Sequence, residues 1–509
     1  MRIPDYSGPS RQTVPTRDPG GEMAQTEQNV AGESESAVSR WFELSKRGST
    51  FGREIRGGVV TFVTMAYIVV LGPLILGTGT DGTGSLIGGF SDVGGSIAAV
   101  AAVMALVAGV MSIVMGAIGR LPLAIAAGLG LLPVVAFSLA PRMTWADAMG
   151  LVILEGVLVL ILVLVGLRKK VFDAIPDPLK FAIGVGIGLF ITLIGLVDAG
   201  ITRAGNPLIS FGVNGNLSGW SAFIFVVGLL LMSVLVVLKV RGGLLIGIVV
   251  TTVLAIIVEA AFGVGGRSED NPGGWGLNVP GLPESLVASP DFSLIGQFNL
   301  FGAFTAIGVL AAGLAVFSLM LTDFFDTMGT AFGIAAEGDM LDKDNDVPHM
   351  QSVLAVDAAA AIVGGAASAS SNTAYIESAA GVGDGARTGI AAIVTGVLFL
   401  VAMFFTPLVS VVPWEAAAPA LVVVGAMMMM QVRKIDFTDL SIGIPAFLTI
   451  VLMPFTYSIV NGIGAGFVSW VVIKGCQGRA REIPLVMWVV TVAFIVYFAS
   501  EPISGWIGQ

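Results

Sequence analysis

Stretches of mainly apolar residues, each close to the length a bilayer demands, recur along almost the whole of this chain. They fall near 57–77, 96–117, 123–140, 146–167, 179–197, 219–238, 243–262, 312–335, 350–367, 371–382, 388–408, 416–431, 440–454 and 458–474. A span needs about 20 such residues, so these read as fourteen membrane segments, several of them short or interrupted. A last apolar run at 484–500 fits either a further span or an in-plane helix. Composition agrees: 55% of the 509 residues are hydrophobic and only 12% charged. Soluble chains carry about 25% charged residues, and a soluble fold would leave this apolar surplus without a polar shell. The 68 glycines suit helices that approach closely in lipid. The expected class is an all-α polytopic membrane protein.

Several functions are excluded early. The net charge of −10 comes from an acidic N-terminal tail and acidic loops, and no basic patch suits nucleic acid. Cys476 is the single cysteine, which rules out disulfides within the chain and argues against a metal–thiolate cluster. The lone His349, beside Pro348, reads as an interfacial residue, so no His-rich metal site is expected and no cofactor is implied. Residues 1–40, rich in Gly, Ser, Pro, Glu and Gln, read as a disordered tail. No short apolar region with a cleavage site follows them, so the first apolar segment is expected to stay as a span.

Basic residues orient the chain. Lys46, Arg47, Arg53 and Arg56 precede the first span, Arg168, Lys169 and Lys170 follow the fourth, Lys239 and Arg241 the sixth, and Arg433 and Lys434 the twelfth. Lys474, Arg479 and Arg481 follow the fourteenth. The stretch 78–95 has no Lys or Arg, and 263–300 has only Arg267. Both termini are therefore expected in the cytoplasm, in a multi-pass protein of the plasma membrane.

A faint repeat is visible. In 175-IPDPLKFAIGVGIGLFI-191 and 412-VPWEAAAPALVVVGAMM-428, Pro176 precedes Gly188 by twelve residues, as Pro413 precedes Gly425. Halves of seven spans each contain an odd number, so such a repeat must be inverted across the membrane, a hallmark of secondary transporters. Two interrupted segments stand third in each half. One is 121-LPLAIAAGLGLLPVVAFSL-139, with Gly128, Gly130 and Pro133; the other is 367-ASASSNTAYIESAAGVGDG-385, polar before Glu377 and Gly-rich after it. Non-helical backbone at membrane depth is tolerated only where it is buried in protein or lines a cavity. A half-helix beginning near Ile376 would also aim free N–H groups at a ligand.

Within the spans the ionisable residues are Glu155, Asp323, Asp326, Asp357 and Glu377, each costing roughly 2.5–3.5 kcal/mol by insertion scales. Glu155 and Asp357, alone on apolar helices, read as structural. Asp323 and Asp326 are the only charged residues between Phe292 and Ala336. At i and i+3 they share roughly one helix face, with hydroxyls of Thr322, Thr327 and Thr330 nearby. Two such carboxyls in a low dielectric do not both ionise readily, which suits one of them to carry a proton. Glu377 adjoins the polar run Ser370–Ser371–Asn372–Thr373 and is the third candidate.

The stretches 322-TDFFDTMGT-330 and 371-SNTAYIESAAGVGDGARTG-389 resemble the eighth- and tenth-span motifs of the nucleobase–cation symporter-2 family, above all its adenine/guanine/hypoxanthine permease branch. Supporting likenesses are 50-TFGREIRGGVVTFVTMAYIVVLGP-73, 166-GLRKKVFDAIPDPLKFAIGVGIGLFITLIGL-196 and 443-GIPAFLTIVLMPFTYSIVNGIGAGF-467, and the resemblance runs from about residue 41 to 500. It implies fourteen spans in a 7+7 inverted repeat, with a short strand and a half-helix in the third and tenth. The implied division is a tail 1–40, core parts 41–170 (spans 1–4) and 301–410 (spans 8–11), gate parts 171–300 (spans 5–7) and 411–475 (spans 12–14), and a C-terminal hydrophobic segment 476–509.

By the same resemblance Asp323 and Glu377 hold the base, facing each other, with Thr373, Tyr375, Ile376 and Phe324 around them. Asp323, Asp326 and Glu377 are the proton-coupling candidates. The implied activity is import of a purine base with a proton by an elevator-like core movement, in a homodimer within the lipid bilayer. There are departures. Where the family's third span has Ala-Pro-Gly-Met-Gly-Leu-Asn, this chain has 126-AAGLGLLPVVAF-137, so Leu132 replaces Asn, Ala127 replaces Pro and Pro133 is new. Gly72–Pro73 replaces Asn-Pro, and 357-DAAAA-361 replaces Asp-Ala-Leu-Gly-Thr. These open an altered specificity, for xanthine or uracil. Two further readings compete. An anion carrier of the related sulfate-transporter-like fold is opposed by the paired carboxylates. An intramembrane aspartyl protease is opposed by both aspartates sitting on one helix, with no Gly-x-Gly-Asp motif.

Overall fold

The computed structural model describes residues 36–166, 174–205, 208–283, 285–343 and 346–507. The N-terminal tail up to residue 35, and Arg168, Lys169 and Lys170, lie outside the described residues. Among those described, ten helices are long and apolar enough to cross a membrane: α1 Phe51–Thr78, α2 Val93–Gly119, α3 Trp145–Leu164, α4 Asp177–Asp198, α5 Trp220–Val237, α6 Gly243–Phe262, α7 Val309–Glu337, α10 Gly389–Ser410, α11 Trp414–Lys434 and α13 Ile459–Cys476. Between and after them come the shorter helices α8 (Met350–Ala366), α9 (Ser378–Gly383) and α12 (Leu440–Phe455), and finally α14 (Leu485–Ile507). The protein is a mostly helical, polytopic membrane protein.

The two interrupted segments leave the helical conformation. β1 (Ile125–Ala127) and β4 (Asn372–Ala374) pair antiparallel, with Ile125 opposite Ala374, Ala126 opposite Thr373 and Ala127 opposite Asn372. A second small ladder, β2 (Thr202–Ala204) with β3 (Ile209–Phe211), lies in the connection between α4 and α5. Each strand of the first ladder is entered through residues in the left-handed region, Arg120 (φ 55°) before β1, Ser368 (φ 57°) and Ser370 (φ 64°) before β4. The chain thus turns sharply out of α2 and α8. After β1 it resumes as a short π-helical stretch, Val134–Leu139, and after β4 as α9.

A two-stranded ladder in an apolar interior leaves donors and acceptors on its outer edges, which must find partners. Side chains supply them. Ser112 on α2 both accepts from the Ile125 N–H (2.9 Å) and donates to the Ile125 carbonyl (3.0 Å). Ser378 on α9 accepts from the Ala124 N–H (3.0 Å), and Asp357 on α8 accepts from the Ala374 N–H (3.1 Å).

Helices contact one another in two groups. α1, α2, α3, α7, α8, α9 and α10 gather around the β1–β4 ladder, chiefly through α8 with α3, α10 with α2 and α10 with α1. In the second group α4 packs on α11 and α12, α5 on α6 and α11, and α12 on α13. Small residues let backbones meet at these seams. A Cβ on Gly389 would stand 1.9 Å from the Gly116 carbonyl oxygen, and one on Gly396 would stand 2.5 Å from that of Gly109. The two glycines of the sequence repeat touch: a Cβ on Gly425 would come within 2.4 Å of the Gly188 carbonyl oxygen.

The run at 484–500 becomes α14, lying antiparallel along α13. Phe494 meets Phe467 with ring centroids 6.2 Å apart, and Phe498 lies beside Gly464. Tyr497 and Phe498 reach a cavity shared with Arg142, Gly308 and Asn461. The segment before α1 sits at the other face, where Trp41 donates to the Ala117 carbonyl (3.0 Å) and Arg47 to that of Arg120 (3.0 Å). The expectation that both termini share one face is therefore corrected: an added traverse by α14 sends the C-terminal end to the opposite side.

The α4–α11 seam can be checked directly. Gly425→Ala places a methyl against Thr192 and the Gly188 backbone, and is expected to lower stability by about 1–3 kcal/mol. Thermal unfolding of the detergent-solubilised protein reads this; an unchanged midpoint would contradict the close crossing.

Candidate substrate-binding site

Where β4 gives way to α9, the chain delivers three consecutive residues to different places. Tyr375 is buried and its hydroxyl closes the end of the ladder, donating to the Ala127 carbonyl (2.5 Å) and accepting from the Leu129 N–H (3.1 Å). Ile376 is exposed. Glu377, half-buried, caps α9, and its Oε1 accepts a hydrogen bond from the Tyr67 hydroxyl of α1 (2.5 Å). Its other oxygen, Oε2, has no hydrogen-bond partner among the described residues.

Glu377 and Tyr67 line a cavity of ≈210 Å³, with Ala380 on the same wall and Leu244 and Met427 from the second helix group opposite. Drug-sized pockets run to about 300–1,000 Å³, so this one suits a smaller molecule. Lys239 and Arg241, in the turn between α5 and α6, stand at its mouth. Asp326 on α7 has an open side chain, and Glu377 is the charged group acting on it. Glu377 thus brings a carboxyl to this cavity, and Asp326 of α7 lies near enough to interact with its charge.

Asp323 does not join them. It is wholly inaccessible to solvent and lies against Glu155 of α3 and Thr373 of β4. The expectation that Asp323 faces Glu377 is corrected, and the reason is geometric. Three residues along a helix rotate a side chain by about 300°, leaving the two aspartates about 60° apart. β4 packs on α7, and the Thr327 hydroxyl on α7 lies 2.6 Å from that of Thr373 on β4. Asp323 is buried beside this contact, whereas Asp326 is exposed. Thr373 and Phe324 are likewise buried, Phe324 packing edge-on to Phe325 at 6.4 Å. Of the residues singled out from the sequence, Glu377, Asp326 and Ile376 are open to solvent, whereas Asp323, Thr373, Phe324 and Tyr375 are built into the wall.

Tyr67 was missed by sequence reasoning. The available signal was that it is one of only five tyrosines and the one within the first span. Two of the departures from the family pattern meet: Leu132 is fully buried, and a Cβ on Gly72 would come 3.6 Å from its Cδ1. Two positions expected to be polar have become an apolar contact.

At the cavity mouth, Asp384 joins the two helix groups. It accepts from Arg56 of α1 and, at 2.7 Å, from Arg241. Partial burial opposes ionisation, but the hydrogen bonds and charges of Arg56 and Arg241 outweigh it and hold this carboxyl below its usual range.

A helical membrane bundle built around paired strands, with a cavity between two helix groups that carries Glu377 together with Lys239 and Arg241, has the architecture of a transporter. The transmembrane domain of the cyanobacterial bicarbonate transporter BicA shares the fold, with a TM-score of 0.55 and 14% identity over 81% of this chain and 96% of that one. Residues 52–465 match the Permease family of xanthine/uracil type. The guanine/hypoxanthine permease PbuO of Bacillus subtilis is 37% identical, covering 90% of this chain and 99% of that protein. The adenine permease AdeQ of Escherichia coli is 35% identical, covering 91% and 96%. The chain belongs to this permease family, the nucleobase–cation symporter-2 family, on the branch that holds these purine permeases.

The Asp384 contact carries a pH prediction. Its carboxyl is depressed in the joined state, so the ion pair contributes fully above the unpaired carboxylate value and is lost as pH falls through the depressed one. Arg241 is exposed, which limits the contribution to about 0.2–1 kcal/mol. The stability gap between wild type and Arg241→Ala, read from thermal melts, should be present at neutral pH and close in acid. A gap that widens in acid would refute the assignment.

Proposed function

We propose that this permease imports a purine nucleobase (adenine, guanine or hypoxanthine) together with a proton, and that Asp326 and Glu377 hold the base. The observation that carries the reading is the Glu377 carboxyl, oriented by Tyr67 at a cavity of ≈210 Å³, with the Asp326 carboxyl of α7 close enough to interact with its charge. A carboxylate accepts two N–H groups from one edge of a planar base, and charge-assisted bonds of this kind are the strong ones. The printed activities of PbuO and AdeQ support a purine. The apolar contact between Gly72 and Leu132 leaves room for a different base from those two.

Transport in this reading moves the α1–α3 and α7–α10 group against the α4–α6 and α11–α13 group, in an elevator-like step. Helix pairing supports a 7+7 inverted repeat. Under its two-fold, α4–α11 and β1–β4 each map onto themselves, α3–α8 maps onto α2–α10, and α5–α6 maps onto α12–α13, all of them observed contacts. Basic residues on the face bearing Arg56 and Arg241 support a cytoplasmic position for that face in the plasma membrane. Protonation of a carboxyl lowers the cost of carrying the loaded site past the gate. The family's homodimer is part of the same proposal. An anion substrate, suggested by the bicarbonate transporter's fold, would meet the Glu377 carboxylate as well as Lys239 and Arg241 in the cavity lining, and the purine permeases among the relatives favour a base over it.

Uptake of radiolabelled bases, with and without a proton uncoupler, tests the proposal. Asp326→Asn and Glu377→Gln should each abolish uptake while surface expression persists; retained uptake in both would sink the site. Tyr67→Phe should weaken base binding by about tenfold, the value of one hydrogen bond to a charged group, with the fold unchanged. Isothermal titration distinguishes that from no effect.

A further inference from the structure

The turn between α5 and α6 holds a lysine where the backbone favours glycine. α5 ends in a closed loop of hydrogen bonds: the Val240 N–H donates to the Leu235 carbonyl and the Lys239 N–H to that of Val236, both at 2.9 Å. This pairing puts the residue after the helix cap in the left-handed region, which only glycine enters without a Cβ penalty. Lys239 occupies that position, with φ 54°. Its place is fixed from the far side as well. Arg241, two residues on, reaches Asp384 at 2.7 Å, and a Cβ on Gly242 would stand 2.9 Å from the Val63 carbonyl oxygen of α1. A side chain kept at a strained position needs its reason in what it can touch.

Lys239 lines the ≈210 Å³ cavity together with Glu377 and Tyr67. Of the two cations on that wall, Arg241 is engaged by Asp384, whereas Lys239 has no ion pair or side-chain hydrogen bond among the described residues. The other side chains that the second helix group adds there, those of Val236, Val240, Leu244 and Met427, are apolar. One small cavity therefore sets a carboxylate acceptor on one helix group against an ammonium donor on the other.

We propose that Lys239 is a base-binding residue, donating to the oxygen on C6 of a 6-oxopurine while Glu377 accepts from the N–H beside it, and that this pair selects guanine and hypoxanthine over adenine. The ring edge decides. In a 6-oxopurine the carbonyl oxygen and the N1–H are neighbours, an acceptor next to a donor, so one edge meets both charges in charge-assisted bonds. Adenine carries an amino group at C6, a donor, beside a ring nitrogen without hydrogen. In the same orientation its amine meets the ammonium and its bare nitrogen meets the carboxylate. Turned over, adenine gives its amine to Glu377, but the acceptor left for Lys239 is a ring nitrogen, set back from the edge where an exocyclic oxygen stands. A site built to bond a polar group rejects an analogue that leaves its own groups unpaired more strongly than one that only loses an apolar contact.

This inference rests on the reading of the chain as a purine importer, and binding measurements separate the two. Isothermal titration of the detergent-purified full-length protein with hypoxanthine, and separately with adenine, gives both affinities. Lys239→Met, which nearly keeps the length and removes the charge, should weaken hypoxanthine about tenfold, the value of one hydrogen bond from a charged group, and leave adenine as tight or tighter. Lys239→Gly suits the left-handed backbone, so it should melt no lower than wild type yet show the same loss for hypoxanthine. It also stands in for the Met variant if that one fails to fold. Wild-type hypoxanthine affinity in either folded variant overturns the assignment. An equal loss for the two bases overturns it too, because Lys239 would then act on the cavity and not on the C6 oxygen. A wild type that binds adenine more tightly than hypoxanthine overturns it while leaving the importer reading intact. A wild type that binds no purine sinks the importer reading, and the role of Lys239 falls with it.

Discussion

Everything near the site depends on satisfying peptide groups that lie at membrane depth without a helix to bond them. An unpaired N–H or C=O there costs several kcal/mol, and the β1–β4 ladder meets that cost only with help from three neighbouring elements. Ser112, Ser378 and Asp357 each bond an outer-edge group of a strand residue or its immediate neighbour. The ladder in turn fixes where α9 begins and which way its first residues point. Glu377 reaches the cavity because Tyr375 is pinned to Ala127 and Leu129 two residues earlier. The position of Glu377 is thus set by side chains that bond the backbone of the strand ladder.

The same economy governs the seams between helices. Lipid offers no hydrophobic drive for helix association, so close backbone approach at Gly109, Gly116, Gly389 and Gly396 does the holding. Within the ladder-bearing group these contacts are tight. Across to the second group the cavity intervenes, and an ionic contact at Asp384 and a hydrogen bond from Ser138 to the Tyr457 carbonyl (2.8 Å) bridge the two near either end. Strong cohesion within each group and sparse bonding between them is the arrangement a moving core requires.

Much of the fold around the cavity was legible in the chain. The apolar runs marked the helices, the Gly and Pro interruptions at 121–139 and 367–385 marked where helix stops, and Glu377 was visible as a charge beside a polar run. Three things were not. From the sequence Asp323 was expected at the base and Asp326 only at the proton, on roughly one face of α7; the fold buries Asp323 and leaves Asp326 exposed. Glu155 and Asp357 read as isolated structural acids because nothing local reveals that α3 and α8 cross at Gly156. Tyr67 carries no motif that predicts a partner 310 residues away. The apolar pairing of Gly72 with Leu132 was likewise two unrelated departures until the fold brought them together.

By itself, then, the sequence determined that this is a membrane permease of many spans, where its helices break and which few residues carry charge into lipid. Those properties are local, because hydropathy over twenty residues, a proline, a glycine or an aspartate acts wherever the chain goes. The tertiary structure alone decided which aspartate of α7 is buried, which acids gather beside it and on which face α14 ends. These depend on the angle at which separate segments cross. A rotation of about 60° on a helix is invisible in a sequence, yet it is enough to bury one carboxyl and leave the other exposed.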